Sequence, residues 1–336
     1  MAAILFDLGG TYLRCAISGD DGALANLYKT RIETVLDGHE PRAVWDKILS
    51  QMTTYTESVS GLTILGTPVI LAFPGPIEDH QRILNAPTVT GGHVTIPDLR
   101  SELMNLTKRD VYILNDVSAA AWHFSRKLAI GRFMVVTISS GIGSKVFDRQ
   151  YPDCVFDAAA YAGEIGHLVV DESSNAPKCD CGGIGHLGAI ASGRGIERAA
   201  RSRAQKNQAA FESSACARDF KATPVTLTNE QHLVPAANAG DEWALTSIRE
   251  STRPLARVLN SMVLGIGLQG IVIIGGFALS LGQVYVGLLG NLMKELCDYS
   301  LLSNHLPGLV QLGDEREEAC LEGAADYAFR IVQRKP

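Results

Sequence analysis

Two stretches of this 336-residue chain follow one plan, and that repetition limits the folds open to it. "AILFDLGGTYLRCAIS" (3–18) is an apolar strand, a Gly-Gly turn and a second strand. "RFMVVTISSGIGSKVFD" (132–148) repeats it: apolar strand, turn of small residues, strand. Each turn lies between β-rich runs, so each reads as a hairpin with an open loop. Between them lie a helical stretch (41–58), a strand "TPVILAFPGP" (67–76) and a helix–strand pair ending in "VYILND" (111–116). After the second hairpin come a Cys/His-rich segment, helices from about 192 to 266 with a polar break near 222–231, the strand 271–275 and terminal helices. The expectation is a two-lobed α/β protein with a cleft between two similar halves.

The chain is long enough for two domains and a large core. A net charge of −6 and no Lys/Arg run argue against nucleic acid or an anionic membrane as partner. Seven cysteines, of which only Cys179 and Cys181 cluster, do not make a secreted disulfide framework and fit a reducing cytoplasm. The N-terminus has no positive region, and Asp7 interrupts its apolar run, so it does not read as a signal peptide. Residues 258–293 carry no charge and would be long enough to span a bilayer. Repeated glycines and Asn260, Gln269, Gln283 and Asn291 break that run into helix, buried strand and helix.

In "DLGGT", Gly9 and Gly10 free the backbone for positive φ and bring N–H groups close to an anion. Thr11 adds a hydroxyl, and Asp7 suits a water-mediated Mg²⁺ ion. A plain hairpin turn has the same Gly-Gly. "SSGIGS" (139–144) offers matching hydroxyls and glycine N–H groups, and two such loops suit a polyphosphate. Lys145, directly after, reads as a solvated lysine. Asn115 and Asp116 end an apolar strand ahead of a small-residue helix, where ligands of α/β sheets sit. Asp116 could take a proton from a hydroxyl that Asn115 orients; the alternative is helix capping, which the dipeptide alone favours. Glu164 and His167 lie three residues apart, and His167, Cys179, Cys181 and His186 form H-x11-C-x-C-x4-H. Four N/S ligands are what structural Zn²⁺ takes.

These motifs, in this order and over essentially the whole chain, resemble the ROK family of sugar kinases, of the actin/hexokinase/Hsp70 superfamily. "DLGGT" and "SSGIGS" match its two phosphate loops, "LND" the segment of its catalytic aspartate, and "GEIGH" with "CDCGGIGH" its zinc module. "ANAGDEWA" and "IVIIGGFA" resemble its later helix start and nucleotide strand, and "PGPIEDHQRILNAPT" its substrate loop. The resemblance implies an actin-like ATPase (ribonuclease H-like) fold. It would have a smaller N-terminal α/β domain (1–117), completed by a C-terminal helix at about 315–336. A larger domain (118–314) would hold the zinc module, 164–188. It implies ATP and Mg²⁺ at Asp7, Gly9, Gly10, Thr11, Ser140, Gly141, Gly143, Gly275 and Gly276. Asp116 becomes the general base; Gly75, Thr88, Asn115, Glu164 and His167 contact the sugar. Zn²⁺ falls to His167, Cys179, Cys181 and His186. A cytoplasmic homodimer acting on a small sugar or cyclitol is expected.

The chain departs from the family in specific places. The module usually reads CxCGxxGCxE; here His186 stands at the last cysteine and Gly188 at the glutamate. The second loop has Ser139, Ser140, Ser144 and Lys145 where the family has Thr and more Gly. His₂Cys₂ remains an accepted zinc set. A hydrogen bond to a charged group contributes about 1.5–3 kcal/mol, so losing the glutamate should weaken an ordinary hexose about ten- to a hundredfold. A C7-cyclitol has no hemiacetal to grip and would miss that carboxylate less. Two other classes compete: a sugar-sensing repressor, which would need a helix-turn-helix ahead of Asp7, and a non-catalytic sugar-binding protein.

Overall fold

The apolar run Ala3–Leu8 is buried at every position and forms strand β1. It turns through residues 9–11 into β2 (Tyr12–Ser18), antiparallel, with Leu8 opposite Leu13. β3 (Leu24–Arg31) pairs with β2 and is largely exposed, an edge strand carrying Lys29 and Arg31. On its other side β1 is joined in parallel by β4 (Val69–Phe73), and β4 by β7 (Val111–Asn115), giving the order β3-β2-β1-β4-β7. β5 (Ile77–Glu78) and β6 (Arg82–Ile83) form a small hairpin between them. Parallel neighbours need crossovers, which the helices Pro41–Ser58 and Leu99–Thr107 supply. The first buries Val44, Trp45, Ile48, Leu49 and Met52 at helical spacing, with Trp45 stacked 6.0 Å from Phe73.

The computed structural model describes residues 3–19, 21–86, 89, 96–314 and 318–330. Its chain divides into two compact units, one of Met1–Ala129, Lys145–Ala162 and Arg316–Pro336, the other of Ile130–Ser144 and Gly163–Glu315. This differs from the division expected at 117/118, for reasons visible in the packing. The helix Asp116–Lys127 stays with the first unit because it packs on the helix Ala319–Arg330. A Cβ at Gly323 would fall on the Ala119 carbonyl oxygen, and Glu322 Oε2 lies 2.7 Å from Nδ1 of the buried His123. Arg126 pairs with Asp326 at 3.2 Å. Residues 145–162 also return to the first unit, where Phe147 meets the Trp122 ring edge-on at 5.4 Å.

β8 (Arg132–Ile138), in the second unit, turns back into β9 (Ile142–Asp148), whose residues from Lys145 onward belong to the first, and the two form the second hairpin. With β10 (Ile271–Ile274) and β11 (Val310–Leu312), parallel additions, the order is β11-β10-β8-β9. The uncharged stretch 258–293 folds as expected: the end of the helix Glu242–Ile266, then β10, then the helices Gly276–Leu281 and Gln283–Glu295. Among the described residues no helix is long and apolar enough to cross a membrane.

Candidate active site and metal cluster

Asp7 lies next to the end of β1, directly across the hairpin from Arg14, and is only 5% exposed. An Arg14 guanidinium nitrogen stands 3.3 Å from its Oδ2. Burial nevertheless raises the Asp7 pKa to about 6, the desolvation of its charge outweighing the pull of Arg14. The turn closes by a 2.9 Å bond from the Gly9 N–H to the Tyr12 carbonyl. Gly9 and Gly10 do not use the left-handed region, contrary to the expectation from sequence. A Cβ at Gly9 would make only ordinary contacts, with the Tyr12 oxygen at 3.5 Å, so the turn's own geometry does not demand glycine there. Thr11 is exposed beside it. Arg14 escaped the sequence reading, though the register was readable: once Leu8 faces Leu13, Asp7 faces Arg14.

Asn115 takes the capping role. Its Oδ1 accepts from the Val117 and Ser118 N–H groups at 3.0 and 3.2 Å, and its Nδ2 donates to the Gly75 carbonyl at 2.9 Å. Gly75 is itself pressed against the Asn85 carbonyl, where no Cβ fits. Thr88 lies outside the described residues. Asp116 is the first residue of its helix, and its Oδ1 accepts from the Val117 N–H at 2.8 Å. The Cys320 thiol reaches the Asp116 carbonyl oxygen at 3.6 Å. Burial holds that thiol far above its ordinary pKa, and the charges of Asp7 and Asp116 add to the shift. The two carboxylates therefore share one neighbourhood.

In the second unit the β8–β9 turn is held by the Ser139 N–H donating to the Gly141 carbonyl at 3.0 Å. Ser140 is exposed, and nothing lies within 4 Å of where a Cβ at Gly141 would stand. Gly143 follows within β9. Gly275 has φ 97°, and a Cβ there would sit 2.5 Å from the Ile138 nitrogen, so the chain passes this point only as glycine. Gly276 opens the next helix close to Ser139. The start of the helix Gly193–Lys206 also reaches this loop: the Gly193 N–H donates to the Ser139 carbonyl, and Arg194 Nε to the Ser140 carbonyl, each at 2.8 Å. Sequence reasoning missed this neighbour, which no local pattern announces. Lys145, expected in solvent, is buried in the first unit at 3% exposure, its Nζ donating to the Ala162 carbonyl at 2.6 Å.

The four Cys/His side chains converge as their spacing predicts. Ligand atoms of His167, Cys179, Cys181 and His186 all lie within 4.8 Å of one another. Cys179 Sγ is 4.0 Å from His167 Nδ1, and Cys181 Sγ is 3.2 Å from His186 Nδ1. A tetrahedron on metal–ligand bonds of about 2.1–2.3 Å has edges of about 3.4–3.8 Å, so the group suits one ion with small adjustment. Glu164 Oε2 stands 3.8 Å from His167 Nε2, beyond hydrogen-bond distance, so the carboxylate would orient a ligating imidazole only after a small side-chain shift. Gly185, at φ 70°, lets the loop cross the Asp171 carbonyl. A Cβ at Gly166 would fall on the Ile142 carbonyl, so the His167 segment lies directly on the start of β9. A Cβ at Gly188 would stand 3.2 Å from the Gly166 carbonyl oxygen, so this position faces backbone.

The ROK family model matches residues 3–330, nearly the whole chain. The chain belongs to the ROK family. It is 35% identical over 334 residues to a C(7)-cyclitol 7-kinase of Streptomyces hygroscopicus subsp. jinggangensis, spanning 97% of this chain and 93% of that protein. It is 28% identical over 286 residues to an N-acetylmannosamine kinase of Escherichia coli, spanning 84% and 86%. Its structure matches a ROK family glucokinase from Streptomyces griseus, in complex with glucose and AMPPNP, at a TM-score of 0.72 and 20% identity, covering 97% of this chain and 98% of the other. The fold is the α/β fold of the ROK sugar kinases.

Proposed function

We propose that the protein is an ATP-dependent kinase that phosphorylates a hydroxyl of a hexose-like carbocycle, a C7-cyclitol, with Asp116 as general base. The observation that carries the acceptor is the 35% identity to a C(7)-cyclitol 7-kinase along 97% of the chain. Gly188, in place of the family's glutamate, supports it, because a carbocycle has no hemiacetal for that carboxylate to hold. A hexose or N-acylhexosamine is the second reading, favoured by the 28% identity to an N-acetylmannosamine kinase.

The residues divide the work as phosphoryl transfer requires, where positioning and charge stabilisation supply most of the rate. Asp116 accepts the proton of the attacking hydroxyl, its carboxylate held at the positive end of a helix that Asn115 caps. The turn at Gly9, Gly10 and Thr11 and the turn at Ser140, Gly141 and Gly143 present N–H and hydroxyl donors to the ATP phosphates. Gly275 and Gly276 admit the nucleotide close to backbone. Asp7 fits Mg²⁺, which is commonly held through one carboxylate together with substrate phosphates and water, and whose charge would offset the cost of ionising a buried acid. His167, Cys179, Cys181 and His186 fit structural Zn²⁺, which would cross-link the loop that carries Glu164 and His167 toward the acceptor. The protein is expected to act as a homodimer in the cytoplasm.

The test is release of ADP from ATP and Mg²⁺ with a panel of glucose, mannose, N-acetylmannosamine, N-acetylglucosamine, fructose and valiolone- and inositol-type cyclitols. Turnover with a cyclitol, lost in Asp116→Asn, supports the proposal. A common sugar outperforming every cyclitol replaces the acceptor with the second reading, and no turnover at all removes the kinase.

A further inference from the structure

Arg194 touches both loops of the second unit that the kinase reading needs. Its Nε donates to the Ser140 carbonyl at 2.8 Å, and its Nη2 lies 2.8 Å from Oδ2 of Asp180, the residue between Cys179 and Cys181. One residue earlier the Gly193 N–H holds the Ser139 carbonyl, and the Gly193 carbonyl in turn accepts from Asn229 Nδ2 at 2.8 Å. Ser192 caps the helix from which Arg194 projects, its Oγ accepting from the Gly195 N–H at 3.2 Å. The base of this side chain is thus fixed, while its tip joins two loops rich in small residues. A separate contact runs in parallel, since Gly166, next to His167, lies against the Ile142 carbonyl just after the phosphate loop.

We infer that Arg194 is a positioning residue that ties the second phosphate loop to the metal loop, so that nucleotide affinity depends on Asp180. The inference rests on the kinase reading above. A loop of serines and glycines loses conformational freedom when it closes on phosphate, and holding it beforehand removes part of that cost. The guanidinium suits the task because its planar fork directs N–H groups at two acceptors in fixed geometry, which an ammonium does not. Both side chains are mostly exposed, 62% for Arg194 and 78% for Asp180, so the ion pair itself adds little to global stability. Its effect belongs in nucleotide binding.

The experiment measures AMPPNP affinity by calorimetry and zinc content by elemental analysis on full-length protein. The set is wild type, Arg194→Gln, Arg194→Lys, Asp180→Ser and the double variant Arg194→Gln/Asp180→Ser. Arg194→Gln and Asp180→Ser are each expected to weaken AMPPNP about three- to tenfold. The double variant is expected to be no weaker than either single one, because both break one relay. Zinc content and acceptor affinity stay at wild-type values in Arg194→Gln, and Arg194→Lys stays as weak as Arg194→Gln. Wild-type affinity in Asp180→Ser, additive losses in the double variant, or full recovery in Arg194→Lys overturns the relay. A wild-type protein that binds no AMPPNP overturns the kinase reading itself, a result distinct from all of these.

Discussion

At the scale of single residues, Asp116 and Asp7 carry opposite expectations. Asp116→Asn keeps the helix start and loses the base, so kcat should fall by about 10²–10⁴ with the melting temperature unchanged, measured by steady-state kinetics beside thermal unfolding. Asp7 affects stability instead. Its pKa rises from the ordinary 3.8 to about 6, so the native state holds this proton more tightly than the unfolded chain. The stability it contributes is fully present below the unfolded value and is lost as pH rises through about 6, a loss of about 3 kcal/mol for a shift of this size. Urea unfolding between pH 4 and 7 without Mg²⁺ should show that decline, shallower in Asp7→Asn. Asp326, raised to about 6 by burial, adds a decline of the same sign that persists in the variant. Gly188→Glu should shift kcat/KM toward glucose over a cyclitol by about tenfold, the size of one restored charged hydrogen bond. The added Cβ must first push the Gly166 carbonyl aside by a few tenths of an ångström.

At the scale of elements, the helix Asp116–Lys127 and the helix Ala319–Arg330 pack directly against each other in the first unit. Gly323 makes it possible, with the Ala119 carbonyl where a side chain would begin. Gly323→Ala should therefore destabilise the protein by about 1–3 kcal/mol, read as a lower urea midpoint with an unchanged slope. The same substitution at Gly276, where the nearest atom stands 3.9 Å away, should leave the midpoint alone and serves as the control. The metal loop follows another logic. The spacing of its ligands is local, while the contact of Gly166 with the Ile142 carbonyl seats the His167 segment on the start of β9.

At the scale of the whole molecule, the first unit is assembled from three separate stretches of chain. The helix Ala319–Arg330 is one of them, so a chain truncated after residue 314 loses part of that unit's core and not merely a tail. Such a truncation should abolish turnover and leave residues 1–129 open to limited proteolysis, with cleavage sites mapped by mass spectrometry. Protection of that segment equal to wild type would count against the integral role of the helix.

Much of this protein follows from short-range pattern. The runs "AILFDL" and "RFMVVTI" read as strands because each is a short, predominantly apolar run that ends in a turn. The helix over 41–58 repeats its apolar residues at helical spacing, and the Cys/His spacing brought its four ligands together. The cap at Asn115 was readable too, since asparagine before a helix satisfies otherwise unpaired N–H groups. Tertiary structure alone decided which unit holds residues 145–162, that Lys145 is buried, that Gly188 faces a carbonyl, and that Arg194 joins two loops. The physical reason is range. Backbone hydrogen bonding and turn geometry act over a few residues and leave a mark in the local sequence. Burial of a lysine, or the meeting of Arg194 with Ser140 across 54 positions, depends on long-range packing that no local pattern records.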